Sequence, residues 1–150
     1  MSVVKINLDN FKLVNERLGH SAGDEAIKLA CTLVKEVFSG VGEVYRRGGD
    51  EIVVIAPGLA QDECSKLAEC SRILIAERFA AWGAQKRLSP TPTASIGIVY
   101  ATAGCSAADV AAYMDEAQST AKHMGKNRVV RVACVSRPRT NHPTSEATAP

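Results

Sequence analysis

The apolar residues of this chain change their period several times, and each change predicts an element. SVVKINL is rich in β-branched residues and ends in amide and acid groups, which predicts a largely buried strand over residues 3–8. Asp9 is then placed to cap a short helix through NFKLVNERL, stopped at Gly19, a natural left-handed residue after a helix end. A second helix is expected over residues 21–38, opened by a capping box between Ser21 and Asp24, with Ile27, Ala30, Leu33, Val34 and Val37 on one face. Two short strands, 43–47 and 52–56, flank a Gly-Gly-Asp-Glu turn and read as a β-hairpin ended by Gly58. A long helix follows over 62–81, with apolar spacing at Leu67, Leu74 and Ala81. TPTASIGIVYA is a strand, AADVAAYMDEAQSTAKHMG a helix closed by Gly125, and RVVRVACV a last strand.

The order βααββαβαβ predicts an α/β sandwich of the α+β kind, a central mixed or antiparallel sheet flanked by helices. Beyond residue 135 Pro, Thr, Ser and Asn accumulate and periodicity disappears, so one domain over 1–135 and a disordered tail over 136–150 are expected.

Composition narrows the classes. With 150 residues and 46% hydrophobic content the chain is long enough for one domain with a real core. A net charge of +2 is too mild, and its lysines and arginines too dispersed, to predict a nucleic-acid or membrane-surface partner. The five cysteines form no CxxC pair, which fits neither a zinc site nor a secreted disulfide framework, so a reduced, cytoplasmic setting is expected. The N-terminal residues carry no signal-peptide pattern, and no stretch approaches the ~20 apolar residues of a membrane span.

The candidate chemistry lies where the first strand ends. Strand side chains at i and i+2 share a face, so Asn7 and Asp9 emerge together. If the hairpin pairs beside that strand, Asp50 and Glu51 arrive next to them. Oxygen ligands from two strand ends suit Mg²⁺, which takes one or two carboxylates and completes its octahedron with phosphates and water. The helix after Asp9 would aim N–H groups at an anion nearby. A metal-bound phosphate is the natural guest, although with the turn read alone the hairpin acids are better explained as solvated turn residues.

Four motifs go further. NLDNFKLVNERLGHSAGDE, YRRGGDEI, ASIGIVYA and AKHMGKNRV stand in the order and at the spacings of the GGDEF family, which this chain resembles across residues 3–132. The resemblance implies a fold of the polymerase-palm and class III nucleotidyl cyclase kind, and synthesis of cyclic di-GMP from two GTP molecules. It puts the catalytic acids on Asp50 and Glu51 and the metal position on Asp50, Asn7 and Leu8, with Mg²⁺ as cofactor and Mn²⁺ able to replace it. It implies that Gly48 and Gly49 let the backbone approach the nucleotide, that Asn15 and Asp24 read guanine, and that Lys12, Lys122 and Lys126 face the triphosphate. A carboxylate accepting from the N1–H and N2–H donors of guanine makes chemical sense of Asp24. Read alone, Asn15 is also a polar helix-face residue, Asp24 a capping residue and the lysines surface residues. His20, in the Gly-His step, has a structural reading between two helices. Each domain of the family holds one GTP, so the implied partners are GTP and a second copy of the chain in a homodimer.

The chain also departs from the family pattern. Asn7 stands where the family has a metal-binding Asp; an amide offers a neutral oxygen in place of a charge, and losing half of the several kcal/mol a metal supplies would slow turnover about tenfold to a hundredfold. Ile52 replaces the signature Phe and is expected in the hairpin core. Lys126 stands where the family usually has Arg, losing the bidentate fork. The family's inhibitory product site needs Arg-x-x-Asp where this chain has SGVG, with Ser39 and Gly42, so product inhibition there is expected to be absent. The sequence starts at the first strand, without the family's preceding helix, so part of one sheet face is expected to lie bare and available to a regulatory partner or another copy. Two functions stand open: a diguanylate cyclase, weakened at Asn7, and a catalytically silent GGDEF domain acting as a GTP-binding or interaction module.

Overall fold

The computed structural model describes residues 1–134; the expected tail lies outside the described residues. The elements are β1 (Ser2–Asp9), α1 (Phe11–Leu18), α2 (His20–Val37), β2 (Glu43–Gly48), β3 (Glu51–Ala56), α3 (Gln61–Lys86), β4 (Thr93–Ala101), α4 (Ala107–His123) and β5 (Arg128–Cys134). They follow the predicted βααββαβαβ order. The sheet is mixed, ordered β2-β3-β1-β4-β5, with every neighbouring pair antiparallel except β4 and β5.

Alternation along the central strand divides the core. Val4, Ile6 and Leu8 pack with Ile52, Val54, Ile96 and Ile98 beneath α1, α2 and α3, in the larger apolar cluster. Val3 faces the other way, with Val53 and Val99, under Val110 and Met114 of α4. Both faces of β1 are therefore buried, which is why its apolar run is almost unbroken. Ile52 is fully buried opposite Ile6, as expected for an apolar replacement in the hairpin core.

The structure corrects four local expectations. Asp9 caps no helix: it is the last residue of β1, and the N-cap of α1 is Asn10, left-handed at φ 60°, with no side-chain capping bond. Ser21 and Asp24 form no capping box; α2 starts one residue earlier, at His20, with Gly19 as N-cap. A capping box does form at α4, between Ser106 and Asp109. Helix α3 runs on to Lys86, and its buried stripe is Cys64, Ala68, Ser71, Ile75, Phe79 and Trp82. Leu67 and Leu74 only flank that stripe and Ala81 is exposed, because each lies one residue, about 100° of helix, before the buried series Ala68, Ile75 and Trp82.

On the α4 side the sheet is only partly covered. Tyr45 and Arg47 of β2 and Val53 and Ile55 of β3 border an open apolar groove beside Ala111 and Met114.

Candidate active site

The end of β1 fixes the site. Asn7 pairs with Glu51 on one side and with Ser95 on the other, and directly paired residues project to the same face. Leu8 N–H donates to the backbone oxygen of Asp50 at 3.3 Å, which pins the hairpin turn to the strand end. Asp50 and Glu51 thus arrive beside Asn7, as the sequence predicts. Gly49 holds φ 50° and Gly48 φ 152°, conformations that L side chains rarely adopt, and Arg46 braces the turn by donating from Nε and Nη2 to the oxygen of Gly49. A Cβ at either glycine would meet nothing within 4 Å, so the protein demands their backbone shape and leaves the space outside them open.

A cleft of about 430 Å³ lies between this turn, α1 and the end of α4. Leu8, Asn10, Phe11, Lys12, Asp50, Lys122 and Lys126 all border it. The Leu8 side chain is in the core, so only its main chain is available to the cleft. No side chain caps α1, and its first turn lines the wall, leaving backbone N–H groups for an anion. The three lysines converge from separate elements: Lys12 pairs loosely with Glu16 at 3.5 Å, Lys126 donates to Asn10 Oδ1 at 3.1 Å, and Lys122 comes from the last turn of α4.

Of the two residues expected to read guanine, Asn15 lies on α1 and Asp24 is exposed on α2, and neither lines the cleft itself. Asn15 packs on Gly23 so closely that a Cβ there would come within 3.0 Å of its Cγ and 3.4 Å of Phe11 Cζ. Gly23, one residue before Asp24 in the chain, therefore makes room for Asn15 between α1 and α2, and Phe11, which also lines the cleft, joins the two regions. His20 is exposed at the start of α2.

Asp9 shares the strand face of Asn7, but its carboxylate is saturated internally. Oδ2 accepts from Thr93 Oγ1 at 2.7 Å and from the Asn127 N–H at 3.1 Å, while Oδ1 accepts from Ser95 Oγ at 2.7 Å. It ties β4 and the β5 approach to β1 rather than adding a free acid. Asn7, only 4% exposed, has the opposite problem: its Oδ1 has no hydrogen-bond partner among the described residues. A buried amide oxygen left unpaired costs about 1–3 kcal/mol, so it favours a cation or donor from outside the chain.

One residue here escaped the sequence reading. Lys5, 4% exposed, lies two positions before Asn7 on the same face and reaches both Glu51 Oε1 at 3.0 Å and Asp115 Oδ1 of α4 at 2.7 Å. Burial pulls the pKa of its ammonium down, but the hydrogen bonds to Asp115 and Glu51 outweigh that and hold it above its ordinary value, so Lys5 is a cation. The trace it leaves in the sequence is slight: a lysine interrupting an apolar run, in the i, i+2 phase of Asn7 and Asp9.

These donors fit one hard cation. Asp50, the backbone at Leu8 and the orphaned Asn7 oxygen provide one charge and neutral oxygens, which Mg²⁺ accepts when phosphates and water fill the rest. No group of three or more His, Cys, Asp or Glu side chains arranged for a metal exists among the described residues, so any ion here leans on its nucleotide.

A five-stranded palm-like sheet, with acids at a hairpin tip and lysines around a cleft, defines the nucleotidyl cyclase class of fold. The family model for the diguanylate cyclase GGDEF domain matches residues 1–128, and the chain belongs to that family. It is 33% identical over 134 residues to diguanylate cyclase DgcM of Escherichia coli, covering 86% of this chain and 30% of DgcM. It is 28% identical over 130 residues to diguanylate cyclase VdcA of Vibrio cholerae, covering 87% of this chain and 38% of VdcA. The chain thus spans about a third of the length of these relatives. Among solved structures, the GGDEF domain of DgcB from Caulobacter crescentus, in complex with c-di-GMP, superposes with a TM-score of 0.76 at 25% identity, over 87% of this chain and 76% of that one. The active GGEEF domain of a diguanylate cyclase from Vibrio cholerae gives 0.69 at 28% identity, over 87% and 81%. No helix among the described residues is long and apolar enough to cross a membrane.

Proposed function

We propose that this domain binds GTP and condenses two GTP molecules into cyclic di-GMP, at a rate held low by Asn7 and by the grip of Lys5 on Glu51. The observation that carries the reading is the single cleft that gathers Lys12, Lys122, Lys126, Asp50 and the uncapped first turn of α1, joined through Phe11 to Asn15 and Gly23. The lysines and the α1 N–H groups hold the triphosphate, and Asp24 with Asn15 takes the base. A bound Mg²⁺ or Mn²⁺ would supply charge neutralisation at the phosphates, held by Asp50 with help from Leu8 and Asn7. The 3′-hydroxyl of each GTP attacks the α-phosphate of the other, so that two phosphodiester bonds form, two pyrophosphates leave and the two hydroxyl protons pass to solvent. Since each domain carries one nucleotide, two copies must face each other, and catalysis is a property of the homodimer. The substrate places the reaction in the cytoplasm.

A second reading has its own support. The Lys5 ion pair occupies Glu51, and with Asn7 neutral the domain is then a GTP-binding module without turnover. Both readings require guanine recognition, which thermal unfolding tests. A nucleotide at a hundred times its Kd stabilises by about 2.7 kcal/mol. GTP should raise the Tm, ATP should not, and Asp24→Ala should erase the difference. Equal effects of GTP and ATP on the native chain would contradict both.

A further inference from the structure

Lys5 is a cation in a place where the acids of this fold would otherwise attract one from solution. We propose that its ammonium is the resident counter-ion of Glu51, standing in for a divalent ion at that carboxylate and tying the hairpin to α4 through Asp115. The inference rests on the nucleotide-site reading above and adds that Glu51 takes no direct part in holding the metal.

Several observations converge on it. Lys5 pairs with Val53 and Asn7 with Glu51, so Lys5 lies two residues back along the same face. Two residues of strand span about 6.6 Å, which an extended lysine stem covers, bringing Nζ to Glu51 Oε1 at 3.0 Å. The stem is buried under α4, so the ammonium cannot swing into solvent without vacating that packing. Asp115, reaching down from α4, takes a second donor at 2.7 Å and fixes the direction of the head group. A divalent ion on the same Glu51 oxygen would lie within a few ångströms of a fixed positive charge, in surroundings that screen it poorly. The neutral Asn7 fits the same pattern. The acid of the family pattern is missing at Asn7, and the positive charge of Lys5 stands directly on Glu51. Asp50, in the turn and lining the cleft, is outside this ion pair and remains the carboxylate open to a metal.

The test uses Mn²⁺ alone, with bound and free ion followed by electron paramagnetic resonance, so that its outcome does not depend on GTP binding. Lys5→Met keeps the stem and removes the charge. It should bind Mn²⁺ at least about tenfold more tightly than the native chain, and adding Glu51→Gln to it should return the affinity to the native level. If Lys5→Met binds no more tightly, or if Glu51→Gln leaves its gain intact, Lys5 is only a structural partner and the proposal fails. Should circular dichroism show Lys5→Met unfolded, Lys5→Gln, which keeps a polar head for Glu51 and Asp115, takes its place, read with Mn²⁺ alone and with the same two outcomes deciding. GTP binding, measured separately by calorimetry, tests the preceding reading; its failure would leave the Mn²⁺ comparison of Lys5→Met with native intact.

Discussion

Asn7 lies directly opposite Glu51 in the antiparallel register of β1 and β3, and the two side chains meet different fates on one face. Glu51 is claimed by Lys5 at 3.0 Å, while Asn7 Oδ1 is buried without a partner. The pair leaves Asp50 as the carboxylate of the turn that lines the nucleotide cleft.

Restoring charge at Asn7 should therefore speed the reaction. Asn7→Asp adds a carboxylate beside Asp50, and product formation with GTP and Mg²⁺ is expected to rise about tenfold to a hundredfold, the range that a few kcal/mol of transition-state stabilisation spans. Initial rates of pyrophosphate release measure it. No increase would mean that Asn7 does not limit the site.

Gly23 carries a different prediction, because Asn15 occupies the space its side chain would need. Gly23→Ala displaces Asn15 from its place against α2. One lost hydrogen bond to the base, about 1 kcal/mol, lowers GTP affinity about fivefold. Titration calorimetry should find that loss for GTP with the unfolding temperature much less affected.

At Lys126 the lost guanidinium fork can be returned. The residue sits at φ 62°, in a turn whose backbone an arginine can share with a lysine, and its Nζ now donates to Asn10 at the cleft. Lys126→Arg should tighten GTP binding severalfold by a bidentate contact to phosphate, with little change for guanosine lacking phosphates.

Acid sensitivity should be visible at the lone tryptophan. Glu25 accepts from Trp82 Nε1 at 2.8 Å and from Lys86 Nζ at 2.8 Å, and the Lys86 and then the Trp82 hydrogen bond hold its pKa below the ordinary 4.5. A lowered carboxylate pKa contributes stability that is full above the unfolded value and is lost as pH falls through the folded value. Trp82 fluorescence should stay constant down to about pH 4.5 and change below it. Glu25→Gln should remove that step; its survival would assign the change elsewhere.

How far the sequence carried the fold depended on the kind of signal. Element order was legible because strand and helix periods differ sharply in β1, α2 and β4, and the sheet followed from it. Asp9 was misread as a cap because a Ser, Asp or Asn before a helical run looks like one; only the Thr93, Ser95 and Asn127 donors, which come from distant segments, explain its burial. Motifs point to the hairpin acids and the lysines, and the structure brings Asp50 and the three lysines to one cleft while Lys5 holds Glu51. Lys5 was missed because one lysine in an apolar strand has no local partner. Asp115, 110 residues away, gives it meaning only once α4 lies on the sheet.

The most direct test of the proposed function is cyclic di-GMP formation by the native chain with GTP and Mg²⁺ or Mn²⁺, beside Asp50→Ala. Slow product formation that Asp50→Ala abolishes is the predicted result. Product undiminished by Asp50→Ala, or none from either the native chain or Asn7→Asp, would contradict it.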